Sequence, residues 1–479
     1  MNTLPLALRN LLRNRRRSLT TLLAMVVGLV AILLFGGYRS NILYGTQTGF
    51  VQQSGHLQIQ RPGYFLDGGD NPTAYGIAGY RQLIERIEAD PVLAPLLAVV
   101  TPTLQLGGIA GHFSAGVSRS VMATGLIPAE RNRMLQWNDY GVISYAQPLP
   151  LEGSGEDTVV VGTGVARKLR LCKLLDAPDC RAAALPAAAA SSAPSVVAAT
   201  TTSATGEADP VPADIAALSA QERSELPQGG ENRIEVLAAT ARGAPNVASL
   251  NVIKASNMGI KALDDVYMAM HLPQAQRLIY GAGQPQVTAI IVQLRHTGQI
   301  PAARERLTEL LAAESGSEPL AVLDFRTLNP IYGQTNEFMD SLFGFISLLI
   351  GVIVLFTIGN TMSTAVVERT VEIGTLRAMG LRRSGIRRLF LSEALLLGGI
   401  GAGIGVACAL LIAWAINHSG WSWVPPGYSY AYLILVRVGE DVPLLAGSVI
   451  GMLAVTVLSA WWPANRAARL PIVAALRHA

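Results

Sequence analysis

Four long apolar stretches divide the chain, one near its start and three in its last third. They cover residues 18–38, 341–364, 389–416 and 442–462. Each is at least as long as the roughly 20 apolar residues that a helix needs to cross the hydrocarbon core of a bilayer. The pattern therefore predicts four transmembrane helices, with residues 39–340 forming a large water-exposed domain inserted between the first and the second.

The distribution of arginine predicts the orientation of these helices. Arginines concentrate ahead of the first apolar stretch and in residues 365–388 and 463–479, whereas residues 417–441 hold only Arg437. Short loops rich in arginine stay on the cytoplasmic side of a membrane. Both termini are therefore predicted to be cytoplasmic, and residues 39–340 and the 417–441 loop are predicted to lie on the opposite side.

The start of the chain combines an amphipathic segment with the first apolar stretch. In residues 1–17 the leucines recur at helical spacing between arginines, which predicts an amphipathic helix on the inner leaflet; they are Leu4, Leu8, Leu11 and Leu12. The stretch that follows admits a second interpretation as a secretory signal peptide. We favour a membrane helix, because the stretch exceeds the about 7–15 apolar residues of a signal peptide and the following RSNILYG lacks a small-x-small cleavage site.

Short strand and helix patterns mark residues 39–340 as an α+β domain. The patterns predict strands at 157–161, 233–239, 286–294 and 320–325, a helix at 301–314, and a second helix at about 328–340 that leads into the next apolar stretch. Residues 182–220 are rich in alanine and nearly devoid of aromatic and large aliphatic side chains. Such a segment cannot bury enough surface to offset its ordering entropy. We expect a disordered insertion there, with a mobile loop that contacts substrate as the alternative.

The composition fits a membrane anchor joined to a water-exposed domain. Of the 479 residues, 50% are hydrophobic and 15% are charged, and the mean hydropathy is +0.36. Such a chain is too apolar for an ordinary soluble protein and too polar for a purely membranous one. The formal net charge of +4 reflects arginines clustered beside the predicted spans. No basic stripe interleaved with aromatic residues indicates nucleic-acid binding.

The sequence lacks the patterns that catalysis and metal binding require. No H-E-x-x-H or G-x-S-x-G motif occurs, and the six histidines are scattered without metal-ligand spacing. Of the three cysteines, Cys172 and Cys180 fall in the extracytoplasmic segment, where they form either a small-loop disulfide or two ordinary thiols. We expect no catalytic residue and no metal site.

Charged and apolar residues alternate between the second and third apolar stretches. The run ERTVEIGTLRAMG begins at Glu368 and ends at Gly380, before a second basic turn. A helix of this kind has an apolar stripe and fixed charges, and a span on each side holds it at the membrane surface. These features suit insertion into a groove of a soluble partner. The alternative is a solvated loop whose arginines only set the topology. Glu393, which follows, is interpreted as an interfacial residue close to Arg387 and Arg388.

The run GGIGAGIG in the third apolar stretch contains two overlapping small-xxx-small pairs. Glycine at this spacing lets two helix backbones approach closely in lipid. The contact is either with neighbouring helices of the same chain or with a second copy. The residues concerned are Gly399, Gly401, Gly403 and Gly405.

Three separated motifs resemble the FtsX, LolC/LolE and MacB permease family. The ERTVEIGTLRAMG run is similar to the coupling segment of that family, ALRNLLRNRRRSLTTLLAMVVG to its first helix, and WWPANRAARLPIVAALR to its C-terminal tail. In the extracytoplasmic segment, VVVGTGVARKLRL and DDVYMAMHLPQAQRLI are similar to a strand-helix step and a helix of the family's periplasmic domain. The alanine-rich insertion departs from the family pattern.

The resemblance implies a type VII ABC transporter permease in a bacterial inner membrane, with a MacB-like periplasmic domain at 39–340. Its coupling segment is expected to dock on a cytoplasmic ABC ATPase. The chain contains no G-x-x-x-x-G-K-[ST], so the ATPase activity is expected on a separate subunit and no cofactor on this one. The residues that the resemblance assigns to coupling are Glu368, Arg369, Glu372, Ile373, Gly374, Leu376, Arg377 and Gly380.

Family members work as dimers and transmit ATP-driven motion to their periplasmic domains. The resemblance therefore implies a second permease copy or a paralogue as partner, besides membrane lipid. It leaves two kinds of cargo open: lipoproteins handed to a carrier, as in LolC and LolE, or efflux of a lipid, peptide or small hydrophobic compound through a periplasmic adaptor, as in MacB. A regulatory protein that controls a periplasmic cell-wall hydrolase, as FtsX does, is the alternative function.

Overall fold

In a computed structural model of the chain, the structure describes residues 15–68, 71–175, 232–313, 319–428 and 431–471. The predicted alanine-rich insertion at 182–220, most of the predicted N-terminal amphipathic helix and Cys180 lie outside these residues. Cys172 packs at the margin of the main core. Its pairing with Cys180 stays a prediction.

The helices range from single turns to rods long enough to cross a membrane. They are α1 Arg15–Ser54, α2 Tyr64–Asp67, α3 Tyr80–Ala89, α4 Pro128–Leu135, α5 Thr163–Lys168, α6 Lys261–Asp264, α7 Leu272–Tyr280, α8 Ile300–Ala312, α9 Phe325–Leu328, α10 Pro330–Glu368, α11 Thr370–Ala378, α12 Arg383–Ser419 and α13 Val442–Arg469. In the described part of the chain, α1, α10, α12 and α13 are long and apolar enough to span a bilayer. The four predicted membrane helices are therefore present.

Two of these helices extend well beyond the predicted spans. Helix α1 continues past residue 38 to Ser54 and contains 40 residues, which corresponds to about 60 Å of helix. Helix α10 begins at Pro330, so the helix predicted at about 328–340 and the span predicted from 341 form one continuous helix. Proline is accepted there because the first helical turn has no hydrogen-bond partner for its missing N–H. The hydrocarbon core is only about 30 Å thick, so both helices project from the same side of the bundle as a stalk.

We call the sheet-rich domain between α1 and α10 the head. Its described residues form nine strands, and the loop between α12 and α13 adds a short hairpin. The strands are β1 Leu57–Gln60, β2 Leu97–His112, β3 Val117–Leu126, β4 Thr158–Gly162, β5 Arg233–Ala239, β6 Pro245–Ser256, β7 Tyr267–His271, β8 Ala289–Leu294, β9 Ala321–Asp324, β10 Ser422–Trp423 and β11 Tyr432–Leu433. The predicted strand at 233–239 has the predicted bounds. The other predicted strands and the predicted helix at 301–314 shift by one to three residues.

Strand β2 connects two parts of the head. Its second half pairs with β3 and β5, and the pairings β3–β7, β7–β4, β4–β6 and β6–β5 then close a ring of six strands. Its first half pairs with β8, which is followed by β1 and β9. At 16 residues, β2 is longer than the usual strand of about 3–10 residues. This length lets one strand serve both parts.

The head has one principal core, which fills the ring and continues under the β8 side. Alternate residues of β5 point inward, so that Ile234 and Val236 are buried while Leu237 is 38% exposed, as the two-residue period of a strand requires. On the other side of β2, Ile87 of α3 and Ile290 of β8 belong to the same cluster. The head is therefore one continuous packed unit.

The membrane helices pack through one of the two predicted glycine pairs. A Cβ atom on Gly405 would lie 3.0 Å from the Leu29 side chain of α1, and one on Gly401 would lie 3.2 Å from Met25. By contrast, a Cβ atom on Gly399 or Gly403 would meet nothing within 4 Å. The pair at Gly401 and Gly405 therefore brings α12 against α1 of the same chain, and the other pair faces outward.

Candidate coupling site

Helix α11 is a short rod between the end of α10 and the start of α12. Arg369 separates it from α10, with φ −104° and ψ 20°. Gly380 follows it with φ +98°, a left-handed conformation that glycine adopts without steric cost. The N–H of Leu381 then donates to the carbonyl of Leu376 at 3.1 Å, which satisfies a C-terminal carbonyl of the helix. The sequence AMG thus ends α11 and turns the chain into α12.

The inner face of α11 belongs to a small core of its own. Ile373 is 3% exposed and packs with residues from the ends of α10, α12 and α13. The other members of this cluster are Val366, Ile386, Phe390, Ala464, Ala467 and Ala468. Three membrane helices therefore meet beneath α11, and a movement of α11 acts on all of them.

The outer face of α11 combines apolar and polar side chains. Val371 is 38% exposed and Met379 is 76% exposed. Glu372 and Thr375 are also exposed on this face. An apolar surface with charges beside it has the character of a site that enters a groove on another protein.

The structure divides the predicted coupling residues between these two faces. Arg369, Ile373 and Gly374 are buried, Leu376 and Arg377 are half-buried, and Glu368, Glu372 and Gly380 are exposed. The exposed residues can reach a partner directly. The buried ones hold α11 in place.

Arg369 and Glu393 form a buried ion pair under α11. The Nη1 atom of Arg369 lies 3.2 Å and 3.3 Å from the two carboxylate oxygens of Glu393, and the side chains are only 7% and 8% exposed. The interpretation of Glu393 as an interfacial residue beside Arg387 and Arg388 is therefore wrong. Its partner in the described part of the chain comes from the end of α10 and lies under α11, away from the surface. The pair joins α10 to α12 across the turn that contains α11.

Arg377 anchors α11 to the end of α13. Its Nη1 atom donates a hydrogen bond to the backbone carbonyl of Leu470, one residue beyond the last residue of α13. This guanidinium therefore serves a contact within the chain. The helix is fixed at its start by Arg369 and near its end by Arg377.

The stalk is fixed on the opposite side of the bundle by contacts among α1, α10 and the loop that leads into α13. Arg39 of α1 pairs with Asp340 of α10, and the rings of Phe35 and Phe343 stack at 6.2 Å. Ser40 donates a hydrogen bond to Asp441, whose other oxygen accepts the N–H of Leu444 at 3.0 Å and caps α13.

Gly37 allows the same loop to lie directly on α1. The N–H of Arg437 donates to the carbonyl of Gly37 at 3.1 Å. A Cβ atom on Gly37 would lie 3.0 Å from Val436 and 3.1 Å from Val438, closer than ordinary packing. The absence of a side chain at this position therefore sets the distance between loop and stalk.

The upper part of the stalk is bonded to the head. The amide nitrogen of Gln47 donates to Tyr140 at 3.1 Å and to Thr297 at 3.2 Å, and its amide oxygen accepts from Tyr332 of α10 at 3.3 Å. Gln52, one and a half turns later, donates to the carbonyl of Trp137 at 2.8 Å. Helix α1 and helix α10 therefore enter the head as one unit.

His56 closes the junction just beyond α1. It is fully buried, its Nδ1 atom accepts the N–H of Leu294 at 3.0 Å, and its ring meets Trp137 edge-on at 4.8 Å. Burial lowers the pKa of His56 from 6.5 to about 4, against a smaller opposing effect of Asp139. The imidazole is therefore neutral at physiological pH and acts as a hydrogen-bond acceptor in the fold.

Comparison with known proteins places this helical arrangement in a family. The FtsX-like permease C-terminal family matches residues 344–472, which run from α10 to the end of α13 and include α11. Residues 344–472 therefore belong to the FtsX-like permease family, and the chain is similar to MacB proteins. The resemblance of the ERTVEIGTLRAMG run to this family is therefore confirmed.

The chain spans less than a third of the length of the relatives that it matches. The macrolide export ATP-binding/permease protein MacB of Escherichia coli K12 is 31% identical over 199 residues, covering 40% of this chain and 28% of that protein. MacB of Neisseria meningitidis serogroup A is 29% identical over 198 residues, with the same coverage. MacB of Acinetobacter baylyi is 29% identical over 221 residues, covering 46% and 31%.

The family match covers the candidate coupling site but not the head. All eight predicted coupling residues fall within residues 344–472. The strands β1 to β9 lie before that range. The assignment of the head therefore depends on its own structure and on the fainter motif resemblance.

Proposed function

We propose that this permease transmits movement from a cytoplasmic ATPase, carried on a separate subunit, to its head on the other side of the membrane. The observation that carries the proposal is the continuity of α10. This helix runs without interruption from Pro330, beside the head, to Glu368, next to α11, and contains 39 residues. Its length of about 60 Å is twice the thickness of the hydrocarbon core, so one rigid element joins the two sides.

The outer face of α11 is the proposed contact with the ATPase. It offers Met379 and Val371 as apolar contacts beside Glu372. Buried apolar anchors surrounded by polar residues provide most of the binding energy in protein interfaces. The matched relatives are named ATP-binding/permease proteins, which supports an ATP-binding unit as the partner of this face.

The movement reaches the bundle through the inner face of α11. The small core around Ile373 and the pair of Arg369 with Glu393 connect α11 to α10 and α12. On the other side, the contacts of Gln47 with Tyr332 and Tyr140 connect α10 and α1 to the head. Every link is a packed or hydrogen-bonded contact, as a transmitted displacement requires.

The arginine distribution supports placing α11 in the cytoplasm of a bacterium and the head in the periplasm. The proposed cargo is a lipoprotein, a lipid or a small hydrophobic compound taken from the inner membrane or the periplasm. A second permease copy or a paralogue would complete the complex, together with a periplasmic adaptor or a lipoprotein carrier. The names of the matched MacB proteins describe macrolide export for those proteins.

Paired substitutions of exposed methionines test this proposal. Met379 on α11 is 76% exposed and Met122 on the head is 54% exposed. We expect Met379→Glu to reduce the amount of a P-loop ATPase that co-purifies with the full chain about tenfold, because a charge in an apolar anchor position costs on the order of 1.4 kcal/mol or more. Mass spectrometry identifies the ATPase, and hydrolysis is measured in lipid nanodiscs.

Met122→Glu is the matched control and should leave both recovery and hydrolysis unchanged. Equal recovery of the ATPase with Met379→Glu and the unaltered chain would overturn the docking assignment. Loss of the ATPase in Met122→Glu would place the partner on the head instead. The regulatory alternative, in which the head controls a cell-wall hydrolase, is favoured if ATP changes the activity of a co-purifying hydrolase.

A further inference from the structure

A shallow cavity at the end of α13 is not part of the coupling contacts described above. Its volume is about 340 Å³. The wall consists of one aromatic ring, two guanidinium groups, an amide and the backbone that leaves the helix. The lining residues are Trp462, Asn465, Arg466, Arg469, Leu470 and Pro471.

The two arginines give the cavity a positive charge. Both side chains are exposed. In the part of the chain that the structure describes, neither Arg466 nor Arg469 takes part in an ion pair. The guanidinium carbon of Arg466 lies 5.9 Å from the centre of the Trp462 ring, four residues earlier, so the ring holds this cation over the cavity.

The position along α13 places the cavity at a membrane surface. From Val442, where α13 begins, twenty residues of helix at 1.5 Å each bring the chain about 30 Å further, to Trp462. This is the thickness of the hydrocarbon core. Trp461 and Trp462 are 54% and 66% exposed, as tryptophans at a membrane interface are. The arginines follow one to two turns later, at the depth of the lipid headgroups.

We propose that this cavity binds the phosphate headgroup of an anionic phospholipid. Guanidinium groups bind phosphate oxygens through paired hydrogen bonds, and two of them converge here at headgroup depth. The exposed indole ring of Trp462, which lines the cavity beside Arg466, lies where the glycerol and the first acyl carbons of such a lipid would sit. A soluble anion would use the arginines alone, whereas a lipid uses the arginines and this ring together.

The cavity is connected to α11 through its own wall. Leu470 lines the cavity, and its carbonyl accepts the hydrogen bond from Arg377 of α11. A bound headgroup therefore restrains the backbone to which α11 is anchored. This consequence for α11 rests on the proposed function, whereas lipid binding itself does not involve the ATPase.

Lipid binding to the purified full-length chain in detergent, followed by native mass spectrometry, tests the proposal. The probes are phosphatidylglycerol and, for comparison, phosphatidylcholine, which has the same acyl chains but no net charge. The variant is Arg466→Gln combined with Arg469→Gln. The control is Arg382→Gln combined with Arg383→Gln, which removes the same charge from two other exposed arginines.

We expect the unaltered chain to retain phosphatidylglycerol in preference to phosphatidylcholine. The Arg466/Arg469 variant should bind phosphatidylglycerol about fivefold more weakly for each arginine removed, and the control should bind it as the unaltered chain does. Lysine at both positions should give intermediate affinity, because lysine keeps the charge but loses the paired hydrogen bonds. An unchanged melting temperature of the lysine variant shows that the fold is intact.

Three results would overturn the proposal. They are equal binding of the two lipids, an equal loss in the Arg382/Arg383 control, and displacement of phosphatidylglycerol by an equal concentration of inorganic phosphate. Because no ATPase is present, a failure of the coupling proposal leaves this measurement unaffected. The two proposals are therefore tested separately.

Discussion

The two ends of α10 are held in different ways. At the head, Tyr332 is 5% exposed, packs against the rings of Phe50 and Phe325, and is bonded to Gln47. At the other end, the core around Ile373 is small and rich in alanine, and one buried ion pair crosses from α10 to α12. Aromatic side chains bury more apolar area than alanine does. The head end is therefore fixed by packing, and the end beside α11 depends on a polar contact.

This difference suits a rod that is displaced at one end and firmly attached at the other. Displacing the side chains of a small core costs less free energy than displacing those of a large one, because fewer van der Waals contacts are lost. A buried ion pair fixes the geometry of its two charged groups and leaves few other arrangements open to them. Under the proposed function, the end of α10 beside α11 is displaced, and the aromatic junction makes the head move together with α10.

Removing one partner of the ion pair should have the largest effect. Arg369→Ala leaves the Glu393 carboxylate buried without this guanidinium, and we expect a loss of about 3–5 kcal/mol in the free energy of unfolding of the membrane bundle. Thermal unfolding of the full chain in detergent measures the change. Arg388→Ala, at an exposed position of α12, is the control and should change the stability by less than about 0.5 kcal/mol.

The exchange of the two charges sharpens this prediction. Arg369→Glu combined with Glu393→Arg restores opposite charges at the same site and should recover part of the loss. A single variant that unfolds like the unaltered chain would show that the end of α10 is held by its apolar contacts alone. The contrast between the two ends of α10 would then disappear.

The junction at the head should show a pH dependence that comes from His56. Its pKa is lowered to about 4 in the folded chain from an ordinary value of 6.5, so the unfolded chain takes up the proton first as the pH falls. The head therefore loses stability between about pH 6.5 and pH 4, by at most about 3 kcal/mol. Unfolding of the full chain, followed by denaturant titration across this range, measures the loss.

His56→Gln should flatten this pH dependence, since glutamine offers a neutral acceptor to the N–H of Leu294. His418→Gln, at the exposed end of α12, is the matched control and should leave the profile as it is. A profile that stays equally steep in His56→Gln would assign the acid sensitivity to other groups.

Two glycines of α1 provide the smallest and most local test. Gly37→Ala places a Cβ atom 3.0 Å from Val436 and should cost about 1–3 kcal/mol, because the loop before α13 must move away. Gly45→Ala meets nothing within 4 Å and should stabilise α1 by up to about 1 kcal/mol. Hydrogen exchange of the Arg437 amide reports the displacement. Equal protection of this amide in both variants would show that the loop does not depend on Gly37.

The membrane helices were predictable because uncharged runs have few alternatives in a lipid bilayer. The extension of α10 was predicted by the helical pattern at about 328–340, but the length of the α1 extension was not, since residues 39–54 contain the polar pattern of a stalk that packs against the head. Strand β2 was missed for a similar reason: its sequence LAVVTPTLQLGGIAGH contains glycine and proline and lacks a clean alternation. The closure of six strands into a ring depends on long-range register, which a single sequence does not display.

The coupling region was located by its motif, but its internal arrangement was not. Arg369 and Glu393 are separated by 24 residues and by the turn at Gly380, so helical spacing cannot relate them. A charge just inside an apolar stretch, as Glu393 is, indicates a buried partner. The resemblance assigns Arg377 to coupling, but periodicity does not show that the end of α13 lies within its reach.

The central claim is that the outer face of α11 meets an ATPase on the cytoplasmic side. A photoreactive residue at Thr375, exposed at the centre of that face, tests it in living cells, with a second one at Phe113, which is 76% exposed on the head. We predict that a P-loop ATPase is crosslinked from position 375 and none from position 113. Crosslinking of the ATPase from position 113, or of periplasmic proteins from position 375, would contradict the account.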